Sequence, residues 1–226
     1  MSISLPRPRP QRVNLEGRYA RLEPLRHEHH YASLLAACTA PGAAERFRYL
    51  FDAAPTPAAL TTWFEQVTPL QDPLFYAVVD ASTGRCEGRQ ALMRIVPEHG
   101  VVELGSIFWG AAIARTRVAT EALFLSAEYV FHTLGYRRFE WKCDALNAPS
   151  RRAAERFGFS FEGVFRQHMV VKGENRDTAW YALLDSEWRE LKPAYEEWLA
   201  PENFDAAGQQ HQRLADLIRA ARGSNV

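Results

Sequence analysis

Three consecutive stretches constrain this chain more than anything else in it. "GVVELGSIFW" (100–109) is an apolar, strand-like run carrying one carboxylate, Glu103. "GAAIARTRVATEALFLSAEYVFHTLG" (110–135) follows, and from Val118 onward its apolar residues recur at helical spacing. Val118, Ala122, Leu125 and Tyr129 form one stripe, with Leu123, Val130 and Leu134 beside it. Glu121, Glu128 and His132 fall together on the opposite face, and Gly135 closes the helix. "YRRFEWKCD" (136–144) then alternates strictly: Phe139, Trp141 and Cys143 on one face, Arg138, Glu140, Lys142 and Asp144 on the other. Strand, loop, helix and strand make a βαβ unit, so strands 100–109 and 136–144 are expected to lie parallel.

The flanking segments read differently. "RYARLEPL" (18–25) alternates as a first strand, and an amphipathic helix is expected from about Leu25 to Cys38. His27, His29 and His30 read as its solvated start, since no second ligand cluster follows. Residues 45–67 are expected to be a loop broken at Pro55 and Pro57, then a helix capped near Thr56 that runs to about Val67. Strands 74–80 and 89–97 are joined by the turn "ASTGRCEG". Past the parallel pair, "FEGVFRQHMVV" and "RDTAWYALLD" flank "KGEN", a hairpin signal. Asp185 or Ser186 is expected to cap a last long helix containing Pro193, and the tail to hold one short helix. The sum is an α+β fold: a mixed, mostly antiparallel sheet with a central parallel strand pair and helices on both faces. The boundaries expected are an extended, poorly ordered Pro/Arg arm (1–12), one domain (13–198) and a helical tail (199–226).

Composition excludes several classes of function. Lys+Arg and Asp+Glu balance at 27 each, so no global field steers the chain toward nucleic acid or an anionic membrane. No window offers the roughly 18–20 apolar residues of a membrane helix, and "MSISLPRPRP" has no apolar core of a secretory signal. Cys38, Cys86 and Cys143 are too scattered for a disulfide framework or a metal site, and fit reduced, mostly buried thiols. The expectation is a cytoplasmic protein without metal, monomeric or homodimeric.

Chemistry concentrates around the βαβ unit. The loop between its first strand and its helix, "ARTRVAT" (114–120), sets backbone N–H groups at the positive end of a helix dipole and adds Arg115 and Arg117. A diphosphate suits such a loop, although a plain N-terminal loop with solvated arginines is the alternative. Neither a Walker loop nor a GxGxxG run is present, which argues against ATP and dinucleotides. The second strand ends at Asp144, and "CDALNAPSRRAAERFGF" (143–159) continues from it. Asn147 offers an amide donor and acceptor matched to a peptide-like pantetheine arm, and Ser150 a hydroxyl. The plainer alternative is that both are helix caps and Gly158 a helix stop. A diphosphate site and an amide-reading Asn across a parallel strand pair describe a coenzyme A site.

With these residues in place, the sequence resembles the GNAT (GCN5-related) N-acetyltransferases, in particular the branch named for the ribosomal-protein alanine acetyltransferases. The match is carried by "TEA" (120–122), "FEWKCDALNAPSRRAAERFGF" (139–159), "FEGVFR" (161–166) and "NRDTAWYALLDSEW" (175–188), and runs from about Leu15 to Trp188. The resemblance implies acetyl transfer from acetyl-CoA to an amine by direct attack in a ternary complex, with the parallel strands splayed apart. The pyrophosphate loop would be Arg115, Thr116, Arg117, Val118, Ala119 and Thr120. The splayed strand end, whose backbone binds pantetheine and polarises the thioester, would be Ile107, Phe108 and Trp109.

Two positions depart from the family's pattern. Ala114 and Arg117 stand at the first and fourth places of a loop that is usually Gln/Arg-x-x-Gly-x-Gly/Ala, with Ala119 in the last. Ala154 stands where many relatives have a Tyr that protonates the departing thiol, so that role passes to Ser150. Glu103 is the candidate base for the amine, with His99 and His168 in reserve; its alternative is a carboxylate paired with a neighbouring Arg. The acceptor is expected to be a small primary amine or a protein N-terminus. A non-catalytic acyl-CoA sensor and a transferase for a longer acyl chain are the other readings.

Overall fold

In the computed structural model, which describes residues 4–223, the parallel pair forms as expected. In chain order the elements are β1 (Leu15–Glu16), β2 (Ala20–Pro24), α1 (His27–Thr39), α2 (Ala43–Arg46), α3 (Pro57–Val67), β3 (Leu74–Asp80), β4 (Cys86–Val96), β5 (Val101–Trp109) and α4 (Arg117–Glu128). β6 (Arg138–Asp144), α5 (Ala148–Arg156), β7 (Ser160–Val171), β8 (Glu174–Leu184), α6 (Asp185–Leu199) and α7 (Leu214–Gly223) follow. The strands form one sheet in the order β1-β2-β3-β4-β5-β6-β8-β7. Every neighbouring pair is antiparallel except β5 and β6. This is the predicted α+β architecture.

Helices cover both faces. Against one, α4, α6 and α7 bury Val118, Ala122, Leu123, Trp188, Tyr195, Leu214 and Ile218 on Val102, Leu104, Phe139 and Trp141. Against the other, α1 and α3 bury Leu34, Leu60 and Phe64 on Phe75, Ala77 and Phe108. Local chemistry sets the element ends. The Thr56 hydroxyl caps α3 by accepting from Ala59 N–H at 3.2 Å, with Pro57 in the first turn. The β7–β8 hairpin turns on Lys172 and Gly173, both at positive φ, as a two-residue turn with the sheet's twist requires. Gly158 ends the short helix at φ +81, and a Cβ there would sit 2.6 Å from Leu191.

Several expectations need correction. The face of α4 bearing Glu121 and Glu128 is not solvated. Glu121 is buried and accepts from the backbone N–H groups of Arg18, Tyr19 and Ala20, while Glu128 holds Trp188 Nε1 and Lys192. His30 is buried too: its Nδ1 accepts from Arg26 N–H at 3.0 Å and its Nε2 donates to Glu23 at 3.0 Å. α6 begins at Asp185 itself, and Glu187 folds back to accept from Leu184 N–H at 2.8 Å. β4 starts at Cys86, and the short helix α2 is additional.

The Pro/Arg arm is extended but tied down among residues 7–12. Arg7 N–H donates to the Pro97 carbonyl at 2.9 Å, and Gln11 N–H to the Tyr129 hydroxyl at 2.7 Å. The first three residues of the arm lie outside the described residues. The tail shares the main core through Leu214 and Ile218. Among the described residues no helix is long and apolar enough to cross a membrane.

Candidate active site

The parallel ladder is short. Val101, Val102 and Glu103 face Arg138, Phe139 and Glu140, and the pairing ends there, although β5 runs on to Trp109 and β6 to Asp144. From Leu104 onward β5 pairs only with β4, across a bulge at Ser106 (φ 49) that bends it away from β6. The predicted splay is therefore present. Ile107, Phe108 and Trp109 lie along its free edge. The Phe108 ring is turned away and stacks on Phe47 with ring centres 4.7 Å apart. Trp109 turns to the α4 side, where its Nε1 donates to Gln90 at 3.0 Å and its ring meets Trp141 across the gap at 6.4 Å.

The predicted anion loop opens onto this gap. Arg115 sits exposed at the crest with φ +64, and Thr116 caps α4 by accepting from Val118 N–H at 3.2 Å. The N–H groups of Arg117 and Ala119 have no partner among the described residues, which leaves two donors unpaired at the helix start. Thr120 differs from expectation: its N–H donates to the Thr116 carbonyl, and its buried hydroxyl bridges the same carbonyl and Arg156. The Arg117 side chain is also engaged elsewhere. Its guanidinium lies 4.5 Å from the Tyr19 ring centre and 5.3 Å from that of Phe204.

On the β6 side, Asn147 is the N-cap of α5, accepting from Ser150 N–H at 3.1 Å, so the plain reading holds for its carbonyl oxygen. Its NH2 has no partner among the described residues. Ser150 is not a cap. Its hydroxyl accepts from Trp141 Nε1 at 3.0 Å, and the Cys143 thiol is pushed up in pKa by burial, with Ser150 acting in the opposite direction.

The opposite face of the gap is polar and buried. Both Glu103 oxygens accept from Arg94 at 2.7 Å, and Lys142 Nζ lies 2.9 Å from Glu103 and 2.7 Å from Glu140. Glu140 in turn holds Arg138, which forks onto Glu162. Lys142 also sits 3.8 Å above the Trp180 ring. Glu103 is thus carried to the gap and is paired there, the arrangement weighed against a free base. Arg94, 40% exposed in its side chain, is the outermost member of the array. His168 stands at the same end, 3.0 Å from Thr178. His99 lies exposed before the start of β5, at the wrong end of the strand to reach the gap.

Of the aromatics at 47–51 and 63–64, Phe47 and Phe64 are core. Trp63 stacks on buried Arg89, and Phe51 lies over Arg176 at 5.0 Å. Arg89 donates to the Ser106 carbonyl and pairs with Asp52. Arg89, Arg94, Lys142 and Arg176 did not stand out in the sequence. A buried cation next to the candidate base is detectable only as a charged residue inside a strand pattern, and Lys142 carries that signal.

Comparison with known proteins agrees with this geometry. Residues 20–160 match the family model described as "Acetyltransferase (GNAT) domain". A solved GCN5-related N-acetyltransferase from Brucella melitensis is 57% identical, with a TM-score of 0.93 over 95% of this chain and 97% of that one. The Bacillus subtilis protein named "Probable N-acetyltransferase YjcK" is 27% identical over 126 residues, 55% of this chain and 68% of that protein. A ribosomal L7/L12 alpha-N-protein acetyltransferase, RimL, solved in complex with coenzyme A, shares the fold at 17% identity. Its TM-score is 0.65, over 76% of this chain and 98% of that one. With the splayed parallel pair, the open helix start beside it and a family match over more than half its length, the chain belongs to the GNAT N-acetyltransferases.

Proposed function

We propose that this enzyme transfers the acetyl group of acetyl-CoA to a primary amine by direct attack, within residues 13–198. One observation carries the reading: a parallel ladder that stops at Glu103 and Glu140 beside a helix start with two unpartnered N–H groups. An extended pantetheine arm can add to the free β5 edge from Ile107 to Trp109, and the Asn147 NH2 can read one of its amides. The diphosphate then meets the loop Arg115 to Ala119.

In the reaction the lone pair of the neutral amine attacks the thioester carbon, a C–N bond forms, the C–S bond breaks, and coenzyme A leaves as the thiolate, which takes a proton from water. Glu103 takes the proton that the amine sheds. An incoming ammonium can replace Arg94 beside it and loses its first proton to solvent before attack, since Arg94 is the exposed partner and Glu103 the buried one. Ser150 already has Trp141 donating to its oxygen, so its own O–H can donate a hydrogen bond to the departing sulfur and relay a proton to it from water. A thioester donor and free thiols suit a cytoplasmic setting. The test is thermal: acetyl-CoA and desulfo-CoA should each raise the melting temperature, and free thiol should appear when amines are added. Millimolar coenzyme with no effect on melting would refute the coenzyme assignment. Binding without thiol release from any amine would favour the sensor reading, and preference for a longer acyl-CoA the third.

A further inference from the structure

One guanidinium in the polar face lacks a counterion. Arg176, on β8, is 7% exposed, yet it makes no hydrogen bond or ion pair among the described residues, and its Nε is fully buried without a partner. The other cations nearby are matched: Arg89 by Asp52, Arg94 and Lys142 by Glu103 and Glu140, Arg138 by Glu140 and Glu162. The Asp144 and Glu103 carboxylates act on Arg176 through space without forming an ion pair with it, while Arg94 repels it. A buried charge left in this condition is costly, and an anion brought to it gains a charge-assisted, two-pronged bond.

Its place in the fold says what that anion belongs to. β8 runs antiparallel to β6, with Thr178 opposite Asp144, so Arg176 stands just past the carboxyl end of β6, where the gap opens. It shares this polar face with Glu103, and its cover is the Phe51 ring, itself 43% exposed. Asp52, next to Phe51, closes Arg89 in the same way from the same loop. Among these cations Arg176 is the one without a direct carboxylate partner, on the side from which an amine would reach the thioester.

We infer that the acceptor is an amine that also carries a carboxylate, and that Arg176 is the specificity-determining residue that receives it as Phe51 is displaced. This rests on the transferase reading above. The carboxylate can be that of a free amino acid or the side chain of an acidic residue near a peptide N-terminus.

The test uses matched pairs: free α-amino acids against their amides, and short peptides with Glu or Gln at the second position, each with acetyl-CoA. At least one carboxylate member is expected to exceed its amide in kcat/KM by about tenfold or more. Which pair shows the difference identifies the source. In Arg176→Gln that ratio should collapse to within about twofold, and Arg176→Lys should restore part of it. Equal kcat/KM within every pair, with thiol release intact, overturns the inference and leaves the transferase reading standing. Absence of both melting shift and thiol release overturns both. The comparison within wild-type protein needs no variant to fold.

Discussion

At the scale of single residues, the site separates groups that hold the fold from groups that remain available. Glu103 is both buried and doubly paired, so Glu103→Gln leaves Lys142 and Arg94 short of a partner and should lower the melting temperature, with a loss on the order of 3–5 kcal/mol for a broken buried pair. Its catalytic part is separable by pH. If Glu103 takes the amine proton, turnover of the variant should fall most below neutral pH and recover as pH rises, because bulk water then frees the amine. A loss equal at every pH would make Glu103 a structural residue only. Ser150→Ala removes the acceptor of Trp141 Nε1 as well as the donor to sulfur. Turnover should drop about 10-fold to 100-fold with acetyl-CoA affinity little changed. Full turnover at a lowered melting temperature would confine Ser150 to packing. Such double duty is what the sequence conceals. Alternation along 136–144 put Lys142 and Glu140 on one face, but their partners Glu103 and Arg94 arrive from strands that only the folded sheet brings near. Glu121 is hidden for the same reason, since what it binds is backbone of the distant β1–β2 turn, while His30 is held by the N–H of Arg26 at its own helix start and by Glu23 of β2.

Among elements, the start of α4 is where sequence and structure diverge most usefully. A loop with Arg in place of the usual Gly reads as a phosphate grip, yet the Arg117 guanidinium lies between Tyr19 of the β1–β2 turn and Phe204 of the tail. The tail thereby braces the start of the helix that follows β5. Arg117→Gly should consequently destabilise by about 0.5–2 kcal/mol through the lost stacking, with a small effect on coenzyme affinity. A fall in affinity equivalent to about 1.5–3 kcal/mol, measured by titration calorimetry, would instead restore Arg117 as a phosphate ligand. The helix pattern itself was readable because α4 packs its stripe on the sheet. The second buried face was not, because the β1–β2 turn and α6 cover it from far along the chain.

Taken whole, the molecule keeps its thiols out of water. Cys38, Cys86 and Cys143 are free and buried, and burial pushes Cys38 to about 11 and Cys86 to about 12. Since the unfolded thiols ionise near 8.5 while the folded ones stay protonated, the unfolded state binds fewer protons as pH rises. Stability should then hold below about pH 8.5 and decline from there toward pH 11. A thiol reagent at pH 8 should label none of the three in the native protein and all three after denaturation. The interrupted β5–β6 ladder has a consequence measured in time rather than energy. Three residue pairs alone join a five-stranded and a three-stranded half of the sheet, so beyond Glu103 and Glu140 the facing strand edges do not pair with each other. Amide deuteration should register that seam: rapid uptake over 104–109 on the edge toward β6, slow uptake at 101–103 and 138–140, and a marked slowing of the former when acetyl-CoA is added. To the exchanging solvent, the bound pantetheine arm would then count as the strand that the chain leaves out.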